Sequence, residues 1–128
     1  MERRRVSTGT DWESTVGYPR AIRAGDTVRV AGTIATDDEG AVVAPGDPYE
    51  QTRHALDIVA NALDEVGTSV DDVVRTRMYV TDIEEMDAVG RAHGEVFADV
   101  RPAATMVEVS ELAAEDAVVE VEVEAVVG

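Results

Sequence analysis

Residues 119–124 read Val-Glu-Val-Glu-Val-Glu, a strict alternation of apolar and acidic residues. Successive side chains of a β-strand point to opposite faces of the sheet, so the three valines share one face and the three glutamates share the other. A sheet that is not purely parallel can bury one face under helices and leave the other face uncovered. We therefore expect helices to cover the valines, while the glutamates face solvent or another subunit.

The row formed by Glu120, Glu122 and Glu124 allows three interpretations. The carboxylates form a solvated row, which an acidic protein tolerates well. Alternatively, they pair across strands with Arg75 and Arg77, which alternate in the same way. In the third interpretation, one of the glutamates acts on a substrate. The residues alone leave all three open.

Two amphipathic helices are predicted to cover the valine face. Asp47 caps the first helix, which begins at Pro48 and ends at Gly67. Asp82 caps the second helix, which runs to about Phe97. Apolar residues at helical spacing define the two buried faces. They are Leu56, Val59, Leu63 and Val66 in the first helix, and Ile83, Met86, Gly90, His93 and Phe97 in the second.

The remaining periodic segments are predicted strands of one mixed sheet. They cover Ala21–Arg23, Thr27–Ala31, Ala41–Val43, Val73–Val80, Ala103–Val109 and Val118–Val127. With the helices inserted, the order is β-β-(β)-α-β-α-β-β, which predicts an α+β fold with both helices on one face of the sheet. A chain of 128 residues is long enough for a single domain, here residues 1–128. Residues 1–20 carry no clear pattern.

The charge of the chain is strongly negative. Asp and Glu number 27 against 11 basic residues, all of them Arg, and the formal net charge is −16. Such a field repels phosphate backbones, so we expect no nucleic-acid partner. Dense carboxylates are typical of halophilic proteins, because concentrated salt screens their mutual repulsion. No apolar run is long enough for a membrane span or a secretion signal, which predicts a cytoplasmic protein without a membrane partner.

The sequence contains no motif for a metal, a nucleotide or a nucleophilic serine or cysteine. There are no cysteines, and the two histidines, His54 and His93, lie on separate predicted helices. We expect His54 to be solvated and His93 to be half-buried and hydrogen-bonded. Phosphate-binding glycine loops and the nucleophile elbow are also absent. We therefore expect no metal and no cofactor.

Three segments of the chain resemble the RidA (YjgF) family. They are VRTRMYVTDI at 74–83, RPAATMVEV at 101–109 and VEVE at 119–122, and the resemblance extends over about residues 15–127. It implies a chorismate-mutase-like fold and a homotrimer, in which the sheets form a central barrel. It also implies that a small metabolite binds in the cleft between two subunits.

The resemblance implies roles for individual residues. Founding members of the family hydrolyse reactive enamines and imines, such as 2-aminoacrylate, to a 2-oxo acid and ammonia. Glu120 matches the glutamate that positions the attacking water, in the role of general acid and base. Tyr18 and Gly32 match a tyrosine of the cleft and a glycine whose backbone approaches the ligand. Met106 takes a position in the wall of the cleft.

The chain departs from the family pattern at Ala104. Family members place an arginine there, which holds the substrate carboxylate in a bidentate pair. Arg101 and Arg77 are the candidates for a displaced guanidinium. Two functions therefore stay open. One is an enamine/imine deaminase, or a related hydrolase of small metabolites, that uses Glu120. The other is a non-catalytic trimer that binds a small molecule in the cleft between subunits.

Overall fold

The computed structural model describes residues 1–128, which form one six-stranded sheet and three α-helices. The strands are β1 (Arg3–Val6), β2 (Ala21–Ala24), β3 (Thr27–Thr33), β4 (Val73–Val80), β5 (Ala103–Glu108) and β6 (Val119–Val126). The helices are α1 (Asp11–Val16), α2 (Pro48–Glu65) and α3 (Met86–Phe97). Short 3-10 turns at Val70–Asp72 and Ile83–Glu85 precede β4 and α3. No helix is both long enough and apolar enough to cross a membrane.

The sheet has the strand order β1-β2-β3-β6-β4-β5. All neighbouring strands are antiparallel except β4 and β5, which run parallel because α3 connects them as a crossover. The closing strand β6 therefore lies in the middle of the sheet, between β3 and β4. The predicted α+β class with a mixed sheet is confirmed.

Helices α2 and α3 pack on one face of this sheet, and the valines of β6 lie beneath them. Val119, Val121 and Val123 are at most 2% exposed. Leu56, Val59, Leu63 and Val66, the predicted apolar face of the first helix, are all buried as well. The predicted separation of valines and glutamates on opposite faces of β6 is confirmed.

Both ends of α2 have side chains that satisfy its free backbone groups. The Asp47 carboxylate accepts a hydrogen bond from the amide of Glu50 at 3.1 Å, as the predicted cap requires. At the other end, Arg23 donates to the carbonyl of Val66 at 2.8 Å and Arg4 donates to the carbonyl of Glu65 at 3.0 Å. Cationic donors at a helix C-terminus also interact favourably with its dipole.

The predicted buried face of the second helix is wrong by about one residue. Val89, Ala92 and Phe97 are buried, whereas Met86 is 50% exposed. The exposed residues of the predicted stripe also include Ile83 and Gly90. The cause is the 3-10 turn at Ile83–Glu85, which has three residues per turn and delays the start of the α-helix to Met86. Counting an α-helical period from Asp82 therefore gives the wrong phase.

The first 20 residues form two elements that hydropathy did not reveal. Strand β1 pairs with β2 at the edge of the sheet, and α1 begins after the N-cap Thr10 and ends at Gly17, whose φ is +92°. In contrast, the predicted strand Ala41–Val43 is reduced to one isolated bridge between Thr36 and Val42. Strand β3 continues beyond Ala31 to Thr33, with a shift of register between Val30 and Thr33.

Candidate functional site on the uncovered face of the sheet

The face of the sheet opposite the helices carries arginines and glutamates in register. Arg77 lies opposite Glu122 on the neighbouring strand, with 3.7 Å between Nη1 and Oε1. Arg29 lies opposite Glu124 on the other side, with 3.3 Å between Nε and Oε1. Arg75 instead donates to the hydroxyl of Thr105 on β5 at 2.9 Å. The predicted cross-strand pairing is therefore found for Arg77 and Glu122. It is wrong for Arg75, because Glu124 pairs with Arg29 instead.

Glu120 differs from the other two glutamates of the row. It takes part in none of the ion pairs, and its partner across the strand is Tyr79, not an arginine. The Tyr79 hydroxyl donates to Glu122 at 2.5 Å, which leaves the Glu120 carboxylate free of that contact. Burial raises the pKa of the half-buried Glu120 carboxyl above its ordinary 4.5, Glu122 raises it further, and the positive charge of Arg20 opposes both.

Gly32 lies directly against the Glu120 carboxylate. A Cβ atom at position 32 would be 2.8 Å from Cδ of Glu120 and 3.0 Å from its Oε1, closer than real Cβ contacts allow. The shift of register between Val30 and Thr33 brings the β3 backbone to this position. The absence of a side chain at Gly32 therefore leaves the space that the Glu120 carboxylate occupies.

We expect the substitution Gly32→Ala to move the Glu120 carboxylate. The added methyl group meets the flexible end of a side chain and no backbone atom, so the side chain can rotate away at small cost in stability. The predicted result is a loss of about 10²-fold in any activity that needs Glu120 at its present position, because a displacement of about 1 Å has that effect. Thermal unfolding should change by only a few degrees. A full retention of activity would contradict the assigned contact.

Tyr18 belongs to the same neighbourhood through Arg20. The guanidinium of Arg20 lies 5.7 Å from the centre of the Tyr18 ring, and Nη2 is 3.5 Å from the Tyr18 hydroxyl. Nη1 of the same guanidinium donates to the Gly32 carbonyl at 2.6 Å. The structure thus brings together three of the sequence-predicted site residues: Tyr18, Gly32 and Glu120.

Arg101 and Met106 lie elsewhere in the same chain. Arg101 is exposed at a φ of +57° just before β5, and its backbone amide donates to the Phe97 carbonyl. Arg101 lies two residues before Ala103, and Ala103 pairs with Arg75 on β4. Tyr79, which pairs with Glu120, lies four residues beyond Arg75. Arg101 is therefore about 20 Å from Tyr79 and Glu120 along the strand direction. Met106 is opposite Met78 and packs against the core on the helix face. The roles of Arg101 and Met106 at the site stay predictions.

Each of the two histidines lies within hydrogen-bond distance of an oxygen atom inside the chain. His93 lies 2.8 Å from the hydroxyl of Thr76 and 4.7 Å from the Phe97 ring centre, and burial lowers its pKa. The predicted half-buried, hydrogen-bonded environment of His93 is confirmed. His54 was expected to be solvated, but its Nε2 is 2.8 Å from the Thr36 carbonyl oxygen and the residue is half-buried. It fixes the loop before α2.

Arg20, Glu13 and Tyr79 are the residues of this region that the sequence did not single out. Arg20 and Glu13 stand in the segment without hydrophobic periodicity, so no pattern assigned them to an element. Tyr79 was visible as a member of an alternating strand beside Arg77. Its position opposite Glu120 follows only from the strand register.

Comparisons with known proteins identify the family of this chain. The family model described as Endoribonuclease L-PSP matches residues 8–127. An uncharacterized protein of Streptomyces coelicolor is 43% identical over 95% of this chain and 90% of its own length. The 3-aminoacrylate deaminase RutC of Acinetobacter baylyi is 33% identical over 81% of this chain and 82% of its own.

Among solved structures, a Mycobacterium tuberculosis member of the YjgF/YER057c/UK114 family superimposes with a TM-score of 0.89 and is 44% identical. The match covers 98% of this chain and all of that one. The family assignment follows from the fold and from sequence matches over nearly the whole chain. The chain belongs to the YjgF/YER057c/UK114 family, which is the RidA (YjgF) family that its sequence resembles.

Proposed function

We propose that this protein is an enamine/imine deaminase in which Glu120 activates the attacking water. The observation that carries the proposal is the environment of Glu120. Its two neighbours in the row are neutralised by arginines, whereas Glu120 has no ion-pair partner and its pKa is raised by burial. A carboxylate whose pKa lies closer to the working pH is a better general base than an ordinary surface glutamate.

The proposed reaction needs one base that can also return a proton. An enamine first takes up a proton at carbon and becomes an imine. The Glu120 carboxylate then accepts a proton from water while the hydroxide adds to the imine carbon. Glu120 returns this proton to the nitrogen, which gives a carbinolamine. Glu120 then moves the proton of the carbinol hydroxyl to the nitrogen, the C–N bond breaks, ammonia leaves, and the carbinol oxygen becomes the carbonyl of the product. One imine and one water thus give one carbonyl compound and one ammonia.

The same proposal includes a homotrimer in which the uncovered sheet faces meet. In a chain with a net charge of −16, the strands β3, β6, β4 and β5 balance Arg29, Arg75 and Arg77 against the three glutamates of β6 on this face. Exposed Val107 lies on the same face, opposite Tyr79. The balance of charges on an otherwise acidic surface favours burial between subunits, since Glu122 and Glu124 already have arginine partners. Arg101 and Met106 then serve a Glu120 site only from a neighbouring subunit.

For the oligomer, we expect light scattering in about 2–3 M salt to give three times the chain mass of 13.7 kDa. The reversed-charge variant Arg77→Glu should dissociate it, because it would remove the partner of Glu122 and place a fourth carboxylate beside the three glutamates of β6. Arg53→Glu is the matched control on the helix side, where Arg53 pairs with Glu95 in solvent. A monomer in the native protein at high salt contradicts both the trimer and the cleft.

The strong negative charge also leads to a prediction about salt. We expect the midpoint of thermal unfolding to fall steeply as salt is removed, because the Debye length grows from about 3 Å at 1 M to about 30 Å at 10 mM. Sixteen excess charges per chain then repel one another, and association concentrates them further. Calorimetry across this range tests the halophilic interpretation. Equal midpoints at both ends would overturn it.

A second function is favoured by Ala104. The residue carries no donor, and the family arginine that would hold a substrate carboxylate is absent from that position. Since positioning supplies much of the rate in such sites, its loss is compatible with a trimer that binds a small molecule without turning it over. The negative charge of the chain disfavours RNA as a partner, in spite of the description of the family model.

An ammonia-release assay on freshly generated 2-aminoacrylate distinguishes the two functions. It is carried out at high salt, with 2-oxo acid measured in parallel. The deaminase proposal expects equal amounts of ammonia and 2-oxo acid, formed faster than in buffer with an equal amount of an unrelated protein. Saturable binding of pyruvate in calorimetry without any acceleration would favour the binding protein instead.

A further inference from the structure

Arg20 is a buried cation whose donors are used inside the chain. It is 8% exposed, and Nη1 donates to the Gly32 carbonyl at 2.6 Å and to the Thr33 hydroxyl at 3.0 Å. Nη2 is directed at the Glu13 carboxylate and the Tyr18 hydroxyl. The Arg20 side chain therefore contacts the backbone of β3 at Gly32 and the hydroxyl of Tyr18 at the same time.

Glu13 holds Arg20 in this position. It is 2% exposed, and its Oε2 lies 3.4 Å from Nη2 of Arg20. The hydroxyl of Ser7 donates to its other oxygen at 2.9 Å, and the backbone amide of Thr8 donates to the same oxygen at 3.2 Å. A buried guanidinium needs a compensating charge with its remaining lone pairs satisfied, and Glu13 meets both conditions. The pair joins α1 to the site.

We propose that Arg20, anchored by Glu13, is a positioning residue of the Glu120 site. It holds the Gly32 carbonyl and the Tyr18 hydroxyl in fixed places, so that the backbone of β3 stays against the Glu120 carboxylate. This inference rests on the proposed function, because positioning has meaning only if Glu120 acts on a substrate. It goes beyond that function in naming a residue that touches neither water nor substrate.

The charges around Glu120 make the inference measurable. From β6, Glu122 faces it, and from β4 the phenol of Tyr79 and the guanidinium of Arg77 lie on the same face, the latter paired with Glu122. From the segment before β2, Arg20 contributes the positive charge that opposes the rise in the Glu120 pKa. Removing that charge leaves burial and Glu122 unopposed, so the pKa of Glu120 rises further.

The test compares Arg20→Met with Arg23→Met. Arg23 is a matched control, because it lies three residues further along, is also partly buried and also donates to a carbonyl, that of Val66. Arg20→Lys keeps the charge with fewer donors, and the double variant Glu13→Gln/Arg20→Met removes both buried charges so that a folded protein is obtained. All variants are studied as full-length chains at high salt, after light scattering has verified that each one forms the trimer.

Two readouts are recorded for each protein. The first is the pH titration of the Glu120 carboxyl carbon by NMR, assigned by its disappearance in Glu120→Gln, and the second is the pH profile of kcat/KM for ammonia release. We expect Arg20→Met and the double variant to move the Glu120 titration and the acid limb of the profile to higher pH. We also expect kcat to fall on the order of 10- to 100-fold. Arg20→Lys should retain the titration midpoint, and Arg23→Met should change neither readout.

A Glu120 titration that is the same in Arg20→Met and Arg23→Met would overturn the inference. So would a profile that moves equally in both variants, since that result indicates a general loss of stability. The two proposals fail in different ways. An inactive native protein whose Glu120 titration still responds to Arg20 refutes the deaminase and leaves the electrostatic contact intact.

Discussion

Glu120→Gln should lower the rate of ammonia release by about 10²–10⁴-fold, the usual effect of removing a general base. Glutamine has the same shape as glutamate, so its side chain still fills the space beside the backbone of Gly32. The variant cannot accept a proton from water, however. kcat should therefore fall more than KM changes, measured in steady-state assays at high salt.

Glu124→Gln is the matched control for that experiment. Glu124 lies on the same strand and the same face and is also half-buried, but its carboxylate is engaged by Arg29 at 3.3 Å. We expect its replacement to leave turnover nearly intact. The trimer has to be verified for each variant, so that lost assembly is not taken for lost chemistry. Equal and small effects at both positions would refute the role of Glu120 and favour the binding protein.

The second large effect concerns stability and the buried pair of Glu13 and Arg20. Glu13→Gln leaves the guanidinium of Arg20 buried without a counter-charge, and breaking such a pair costs about 3–5 kcal/mol. Exposed Glu111 has no assigned partner, and Glu111→Gln should change the free energy of unfolding by less than about 0.5 kcal/mol. Denaturant unfolding at matched protein and salt concentrations measures both.

The same pair gives the stability a defined dependence on pH. Burial alone would raise the pKa of Glu13, but hydrogen bonds from Thr8 and Ser7 and the attraction to Arg20 outweigh it, so the net pKa is lowered from 4.5. A carboxyl whose pKa is lowered on folding contributes stability above its unfolded pKa and loses it as the pH falls through the folded value. The difference between native protein and Glu13→Gln should therefore shrink below about pH 4.5. A difference that grows on acidification would contradict the assignment.

The parts of the fold that alternate or repeat regularly were predictable. Val73–Val80 was predicted with its observed bounds, and the two faces of the closing strand followed from the alternation of valine and glutamate. The apolar face of α2 was equally clear, because a proline start and a capping aspartate fixed its phase. The phase of α3 was not predictable, since a 3-10 turn is inserted before Met86.

The site was predictable only in part, for a physical reason. Glu120 and Gly32 could be selected from a resemblance, but their contact depends on the shift of register between β3 and β6, which no local pattern encodes. Glu13 and Arg20 meet only because α1 turns back at Gly17, and α1 is a six-residue polar helix without hydrophobic periodicity. Contacts of this kind are decided by tertiary structure and not by propensity.

The most direct measurement of the central claim is a crystal structure of the protein with a bound 2-oxo acid, the class of product that the proposed reaction releases. We expect three chains around a threefold axis, with the ligand in the cleft between two of them. Its carbonyl carbon should face the Glu120 carboxylate, with one water within about 2.6–3.2 Å of a carboxylate oxygen. A ligand bound away from Glu120, or a Glu120 side chain that faces open solvent on a single chain, would contradict the account.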